Sequence, residues 1–314
     1  MLTWSLLFSV LSGLLLVSCN DDDDDDDFSA LNIVEFVQGD DNFSALEDAI
    51  FRAGLEDDLS ASANYTVFAP DNDAFNDFLN ANGFNSVDDI PVDVLESVLL
   101  NHVLGARLFS TDLSNFYVTT LSPSGNDNEP LSMYINTDNG VVINGQATVT
   151  AADAEVSNGV IHVVDAVIGL PDVTTFAAAD PGLNTLVDAL NASQLNTNLI
   201  AALQAAGPFT VFAPTNQAFE NLIAGNDDWN GLGDIPGTLL ETVLLYHVSD
   251  AGNVRSDELT DDMSVPTLAG ENFTIDLDPA NPTIQAGQNT AQIIFTDVQA
   301  TNGVVHVIDN VILP

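Results

Sequence analysis

Four histidines are the residues of this sequence best suited to acid–base chemistry or metal binding, because imidazole titrates near neutral pH. They form two matched pairs along the chain: His102 with His247, and His162 with His306. His162 precedes Asp165 by three residues, as His306 precedes Asp309. Residues three apart on a strand point to opposite faces, so neither His–Asp pair can converge on one substrate. We therefore predict structural roles for His162 and His306.

The other histidine pair continues the apolar stripe of a helix. His102 follows Leu95, Val98 and Leu99 at helical spacing, and His247 follows a matching stripe in the second half of the chain. Such a position favours a buried, hydrogen-bonded side chain, so we predict a structural role for His102. The sequence leaves a second role open for His247.

Other chemical motifs are weak. Asp71-Asn72-Asp73 resembles the start of a calcium loop but lacks its Gly and its terminal Glu, so a helix cap is preferred. Nucleophile-elbow, zinc-protease and phosphate-loop patterns do not occur. We therefore expect a protein that is not an enzyme and that uses no metal and no cofactor.

Composition narrows the class of protein further. The 314 residues include 47 Asp and Glu against three Arg and no Lys, a formal net charge of −44. A nucleic-acid partner is excluded, since it requires a basic face. A hydrophobic content of 46% supports folded cores, and the length suits two domains. The single Cys rules out an internal disulfide.

The amino terminus indicates export. An apolar run over residues 2–17 is short for a membrane span and is typical of a signal peptide, assigned to residues 1–18. It ends in Leu16-Val17-Ser18-Cys19, which resembles the bacterial lipoprotein cleavage box and implies lipidation of Cys19. An uncleaved anchor helix, or a signal peptide with an incidental Cys, are the alternatives.

Seven aspartates follow Cys19 closely, and their mutual repulsion predicts an extended stalk over residues 19–27. Acidic residues at this place also resemble a tag that sends lipoproteins to the outer face of the outer membrane. A plain spacer, or weak cation condensation, would explain them equally well. The expected location is an outer-membrane lipoprotein at the cell surface, or otherwise one that faces the periplasm.

An internal repeat dominates the rest of the sequence. Residues 65–75 match 209–219 at 8 of 11 positions, and residues 157–168 match 301–312 at 8 of 12. Residues 87–103 and 232–248 agree at 10 of 17. The period of about 144 residues is that of a whole domain, which places the domains at 28–171 and 172–314.

Within each repeat, helical spacing gives way to strand-like alternation. The spacing of Leu46, Ala49, Ile50 and Ala53 predicts a helix, and Thr66 to Ala69 predict a buried strand that Pro70 ends. Alternating runs dominate from about Leu131, and Asn158-Gly159 and Asn302-Gly303 are predicted hairpin turns with positive φ. Each repeat is therefore an α+β domain.

The three repeated blocks resemble the fasciclin (FAS1, βig-h3) domain. The resemblance implies two tandem β-wedge domains, each with a helical layer, and a role in extracellular adhesion without catalysis. In that family a Tyr-His pair is implicated in adhesion, and Tyr246-His247 matches it, whereas the first repeat has Asn101-His102. Tyr246 and His247 are therefore the adhesion candidates, and residues 172–314 the expected contact-making domain.

These inferences combine into one functional hypothesis. We expect a non-catalytic surface lipoprotein that attaches to an extracellular protein or polysaccharide, and to the membrane through its lipid anchor. The alternative is a membrane-tethered capture protein for a carbohydrate or a small apolar ligand.

Overall fold

The structure, a computed structural model, describes residues 30–124, 129–277 and 282–314. The predicted signal peptide at 1–18 and the segment 19–27, with Cys19, lie outside the described residues. Within the described ranges, no helix is both long enough and apolar enough to span a bilayer.

In its described residues, the first repeat has five α-helices and seven strands. The helices are α1 Ile33–Gly39, α2 Ser44–Ala53, α3 Glu56–Ser60, α4 Asn72–Asn82 and α5 Val92–Asn101. The strands are β1 Tyr65–Pro70, β2 Val103–Leu104, β3 Phe116–Pro123, β4 Pro130–Asn136, β5 Val142–Ile143, β6 Ala147–Val156 and β7 Gly159–Val164.

The second repeat has the same element order. Its helices are α6 Val173–Ala179, α7 Asn184–Leu190, α8 Leu199–Leu203, α9 Asn216–Ala224 and α10 Gly237–Tyr246. Its strands are β8 Phe209–Pro214, β9 Val248–Ser249, β10 Ser264–Pro266, β11 Asn272–Asp276, β12 Thr283–Gln285, β13 Thr290–Ala300 and β14 Gly303–Ile308.

The sheet of each repeat joins its first strand to its last. In the first repeat β1 pairs with β7 in parallel and with β2 antiparallel, and the seven strands close on themselves. In the second, β8 pairs with β14 in parallel, and the strand order is β10-β11-β12-β13-β14-β8-β9. The predicted α+β class, with two β-wedge sheets and a helical layer on each, is confirmed.

Strand alternation divides each core into two layers. Val67 and Ala69 of β1 face the helices, where they join the stripe of α2 and α5 that includes Leu46 and Leu95. Phe68, on the opposite face, packs between the strands with Met133 and other buried side chains. The second repeat divides in the same way, with Val211 toward its helices and Phe212 among its strands. Both faces of the central strand are therefore buried.

The predicted helix cap is confirmed at Asp71. Its side chain accepts a hydrogen bond from the Ala74 backbone N–H at 2.8 Å, and α4 begins at the next residue. Thr215 caps α9 in the same way in the second repeat. The calcium-loop likeness of residues 71–73 is therefore explained by helix initiation.

Both predicted hairpins are present, but their turn residues are Ser157-Asn158 and Thr301-Asn302, one position before the predicted dipeptides, and the expected positive φ was wrong. None of these four residues has a positive φ. A Cβ on Gly159 would instead stand 2.5 Å from the Tyr65 carbonyl oxygen, and one on Gly303 would stand 2.3 Å from that of Phe209. These glycines are required by the close approach of two parallel strands.

Candidate functional site

The histidines that follow α5 and α10 are buried and bonded only to backbone. His102 Nδ1 lies 2.7 Å from the Val98 carbonyl oxygen, and its Nε2 accepts from the Ile168 N–H at 2.8 Å. Because Nε2 accepts, the proton of the neutral ring is on Nδ1, which donates to Val98. Burial lowers the pKa of His102 to about 4, although the bond to Val98 opposes the shift.

His247 repeats this arrangement in the second repeat. Its Nδ1 lies 2.7 Å from the Val243 oxygen, and its Nε2 accepts from the Ile312 N–H at 3.0 Å. Burial again lowers the pKa to about 4. Each ring therefore joins its helix to the segment that follows the last strand, and neither has a free nitrogen for a ligand.

The strand histidines carry the opposite tautomer. His162 Nδ1 accepts from the Asp153 N–H at 3.2 Å, and its Nε2 donates to the Leu108 oxygen at 2.9 Å. His306 does the same with Asp297 and Val254, and burial lowers its pKa. As expected from the alternation, neither histidine meets the Asp three residues later.

A Ser, an Asp and a His do meet in each repeat, but in an order unsuited to nucleophilic catalysis. Ser110 Oγ donates to Asp153 Oδ2 at 2.5 Å, while the Asp153 Oδ1 lies 4.0 Å from His162 Nδ1. Ser256 donates to Asp297 at the same place in the second repeat. A serine nucleophile must donate to the histidine, which these serines do not. Asp153 and Asp297 have positive φ, so the cluster holds a strand bulge.

Tyr246, the last residue of α10, is buried. Its side chain is 0% exposed, packs edge-on against Phe273 at 5.8 Å, and donates from its hydroxyl to the Asn272 oxygen at 3.1 Å. His247 is buried beside it. The adhesion role of Tyr246 and His247 stays a prediction, and a surface partner cannot touch either side chain in this conformation.

Aromatic side chains join the two repeats. Tyr117 of β3 contacts Phe176 of α6 and Phe295 of β13, with ring centroids 5.9 and 5.2 Å apart. Its hydroxyl donates to Asp180 Oδ2 at 2.9 Å, and burial together with this carboxylate raises the pKa of Tyr117. Tyr134 packs on Tyr117 at 4.8 Å. Sequence reasoning missed this cluster, since isolated aromatics carry no signal of which distant residues they meet.

The three arginines are all used within the fold. Arg52 donates to the Asp88 and Ile90 carbonyl oxygens, and Arg107 to those of Val156 and Ser157. Arg255 donates to the Gln299 side chain. Within the part of the chain that the structure describes, a partner therefore meets carboxylates but no uncommitted arginine, which disfavours anionic ligands.

Among the described parts of the chain, no group of three His, Cys, Asp or Glu side chains is placed to hold a metal ion.

The two α+β repeats define a tandem two-domain protein, and sequence comparison gives its family. A family model described as "Fasciclin domain" matches residues 41–171 and 181–314. The chain belongs to the fasciclin family.

Relatives match one repeat or both. Human periostin is 28% identical over 263 residues, which cover 83% of this chain but 29% of periostin. Transforming growth factor-beta-induced protein ig-h3 of Sus scrofa is 29% identical over 83% of this chain and 36% of its own length. Protein sll1483 of Synechocystis sp. is 40% identical over 146 residues, covering 45% of this chain and 73% of the relative.

A solved structure shares the fold of both repeats. It is a FAS1 domain pair from the insect cell adhesion molecule Fasciclin I, with a TM-score of 0.53 and 22% identity. The match covers 86% of this chain and 97% of that one.

Proposed function

We propose that this protein is a non-catalytic binding protein of the cell surface, which attaches the cell to an extracellular protein or polysaccharide. The observation that carries the proposal is the fasciclin domain in both repeats, an architecture shared with a pair from an insect cell adhesion molecule. The backbone-bonded histidines support a role without catalysis, because no reactive ring nitrogen is left over in either repeat.

Lipidation of Cys19 would anchor the protein, with the acidic segment behind it as a stalk. Outer-membrane display follows from the same sequence features and forms part of the proposal. A tethered pair of domains suits attachment, since a second contact made from one tether is intramolecular.

The proposed domains run over 28–171 and 172–314, wider than the family match. The contacts of two equivalent asparagines support these limits. Asn158 accepts from the Ile33 N–H at the start of α1, and Asn302 accepts from the Val173 N–H at the start of α6. Each first helix is therefore bonded to the sheet of its own repeat.

A second candidate function is capture of a carbohydrate or a small apolar ligand at the membrane. It is favoured by a groove beside Trp229 in the second repeat.

Two measurements test the proposal in a Gram-negative host that exports lipoproteins. Cells displaying the full chain should attach severalfold better than cells without it to surfaces coated with matrix proteins or neutral polysaccharides. External protease should remove both the protein and the attachment. Equal attachment with and without the protein would overturn the adhesion role.

Cys19→Ala should move the protein from the membrane fraction to the soluble fraction and abolish labelling by palmitate. A Ser18→Ala variant is the matched control, because it leaves the Cys in place. An unlabelled wild-type protein with an intact thiol would contradict the anchor.

A further inference from the structure

A groove crosses the surface of the second repeat, between the end of α9 and the chain on either side of β13 and β14. It consists of two adjoining depressions of about 430 and 250 Å³. Both are lined by Leu222, Trp229, Gln288 and Leu313, so they form one continuous groove. Its volume lies within the range of ligand sites in proteins.

The groove combines an aromatic ring with a rim of amides. Trp229 is half-buried, with its backbone N–H bonded to Asn226, and it packs on the helical core of the repeat. Asn221, Asn226, Asn310 and Gln288 stand around it. A flat apolar ring beside several hydrogen-bonding groups complements a sugar, whose C–H face is apolar and whose hydroxyls both donate and accept.

Several amide atoms at this rim are uncommitted. Asn221 uses only its Oδ1, which accepts from Gln217, and Asn310 uses only its Nδ2, which donates to the Thr290 oxygen. Gln288 likewise uses only its Nε2. Within the described residues, Asn221 Nδ2 is therefore a spare donor, while Asn310 Oδ1 and Gln288 Oε1 are spare acceptors.

The charge of the groove selects among saccharides. None of the side chains that line it is ionisable, although the whole chain carries 47 Asp and Glu. An anionic polysaccharide would meet the repulsion of the acidic surface without any arginine to bind it. A neutral saccharide is free of that repulsion.

The first repeat lacks the Trp and several of the amide side chains that line the groove in the second repeat. At the repeat offset, Asn221, Trp229 and Asn310 correspond to Asp77, Phe84 and Ala166 in the first repeat. Asn289 corresponds to Gly145 in the first repeat. A Cβ on Gly145 would lie 3.6 Å from Ala179 Cα of α6, so the second repeat covers the position that is open as a groove around Asn289. The shared fold therefore does not demand the Trp or the amides.

We propose that the groove around Trp229, Asn221 and Asn310 binds a neutral saccharide chain. This inference rests on the proposed function and assigns its ligand class and its site.

Trp229 fluorescence gives a direct test, because the chain has only one other Trp, at position 4. The full chain carrying Trp4→Phe is titrated with mannohexaose, cellohexaose, xylohexaose and laminarihexaose. Hyaluronate hexasaccharide serves as the anionic probe and N-phenyl-1-naphthylamine as the apolar probe. At least one neutral hexasaccharide should change the emission saturably, and the other two probes should not.

Variants locate the binding. Asn221→Ala should weaken it severalfold without loss of stability, since Asn221 is exposed on α9 and Ala favours a helix. Trp229→Ala should weaken binding about tenfold or more by calorimetry, which corresponds to about 1.4 kcal/mol. Phe51→Ala, which removes an exposed aromatic from α2, is the matched control and should bind like the parent.

The groove proposal is overturned if no neutral hexasaccharide binds, if binding survives both groove substitutions, or if only the apolar probe binds. Cells displaying Asn221→Ala enter the same attachment assay as the parent. Attachment that persists without any hexasaccharide binding removes the groove proposal and leaves the proposed function in place. Hexasaccharide binding without any attachment to coated surfaces removes the adhesion role and leaves the groove.

Discussion

Hydrogen bonds from single side chains connect the helical layer to the rest of each repeat. His102 and His247 make these bonds only while their rings are neutral. Their folded pKa of about 4 lies below the value near 6.5 of an unfolded chain. The unfolded state therefore binds protons first as the pH falls. Stability from these rings is complete above about pH 6.5 and is lost toward pH 4.

We expect His247→Gln to flatten this dependence. Each lowered pKa corresponds to about 3 kcal/mol of unfolding free energy between pH 7 and pH 4. Carboxylate titration contributes equally to the parent and the variant. The unfolding free energy, measured with urea at several pH values, should therefore fall less steeply toward low pH in the variant, and this difference is the contribution of His247. Parallel curves for the two proteins would contradict the neutral buried ring.

Asn158 also connects helices to the sheet through its side-chain hydrogen bonds. It accepts from Ile33 and donates to the Leu59 and Ala61 oxygens at 2.7 and 3.0 Å, which binds α1 and the end of α3 to the β6–β7 turn. Asn158→Ala should lower the unfolding free energy by about 2–3 kcal/mol, because it leaves buried backbone groups unpaired. Asn80→Ala, at an exposed position of α4, should change it little. Denaturant unfolding of both variants checks this, and equal stabilities would refute it.

At the scale of elements, the parallel pairing of β1 with β7 and of β8 with β14 tolerates substitution of its glycines poorly. Gly159→Ala should destabilise the protein by about 1–3 kcal/mol, since its Cβ would press on a backbone oxygen that cannot rotate away. Gly231→Ala is the matched control, because a Cβ there meets nothing within 4 Å. Thermal melting of the two variants compares them, and similar losses would argue against the close approach.

Local pattern predicted these elements but not how they pair. The stripe of Leu46 and Ile50 marked α2, and the run from Thr66 to Ala69 marked β1, since periodicity depends only on near neighbours. The parallel partner of β1 lies about ninety residues away, and nothing in the run specifies it. The hairpin near Asn158-Gly159 was predicted, but the turn is one residue earlier and Gly159 begins β7, because a dipeptide cannot reveal that Tyr65 will approach it.

At the scale of the molecule, the repeats are coupled by side-chain contacts, the Tyr117 cluster among them, and not by the linker alone. The Gln299 N–H also donates to Ser132 Oγ at 2.9 Å across the same junction. Interfaces of packed aromatics transmit unfolding from one domain to its neighbour, whereas a bare linker does not. The groove at Trp229 is thereby held at a fixed orientation to the first repeat.

Tyr117→Ala should uncouple the two repeats. It removes the ring that touches both Phe176 and Phe295, so a single calorimetric transition of the parent should separate into two. Tyr117→Phe keeps the ring and loses only the bond to Asp180, so it should retain one transition at a slightly lower temperature. Because the groove lies outside this cluster, hexasaccharide binding by Tyr117→Ala should match the parent while surface attachment falls. A single unshifted transition in Tyr117→Ala would show that the repeats are coupled through other contacts.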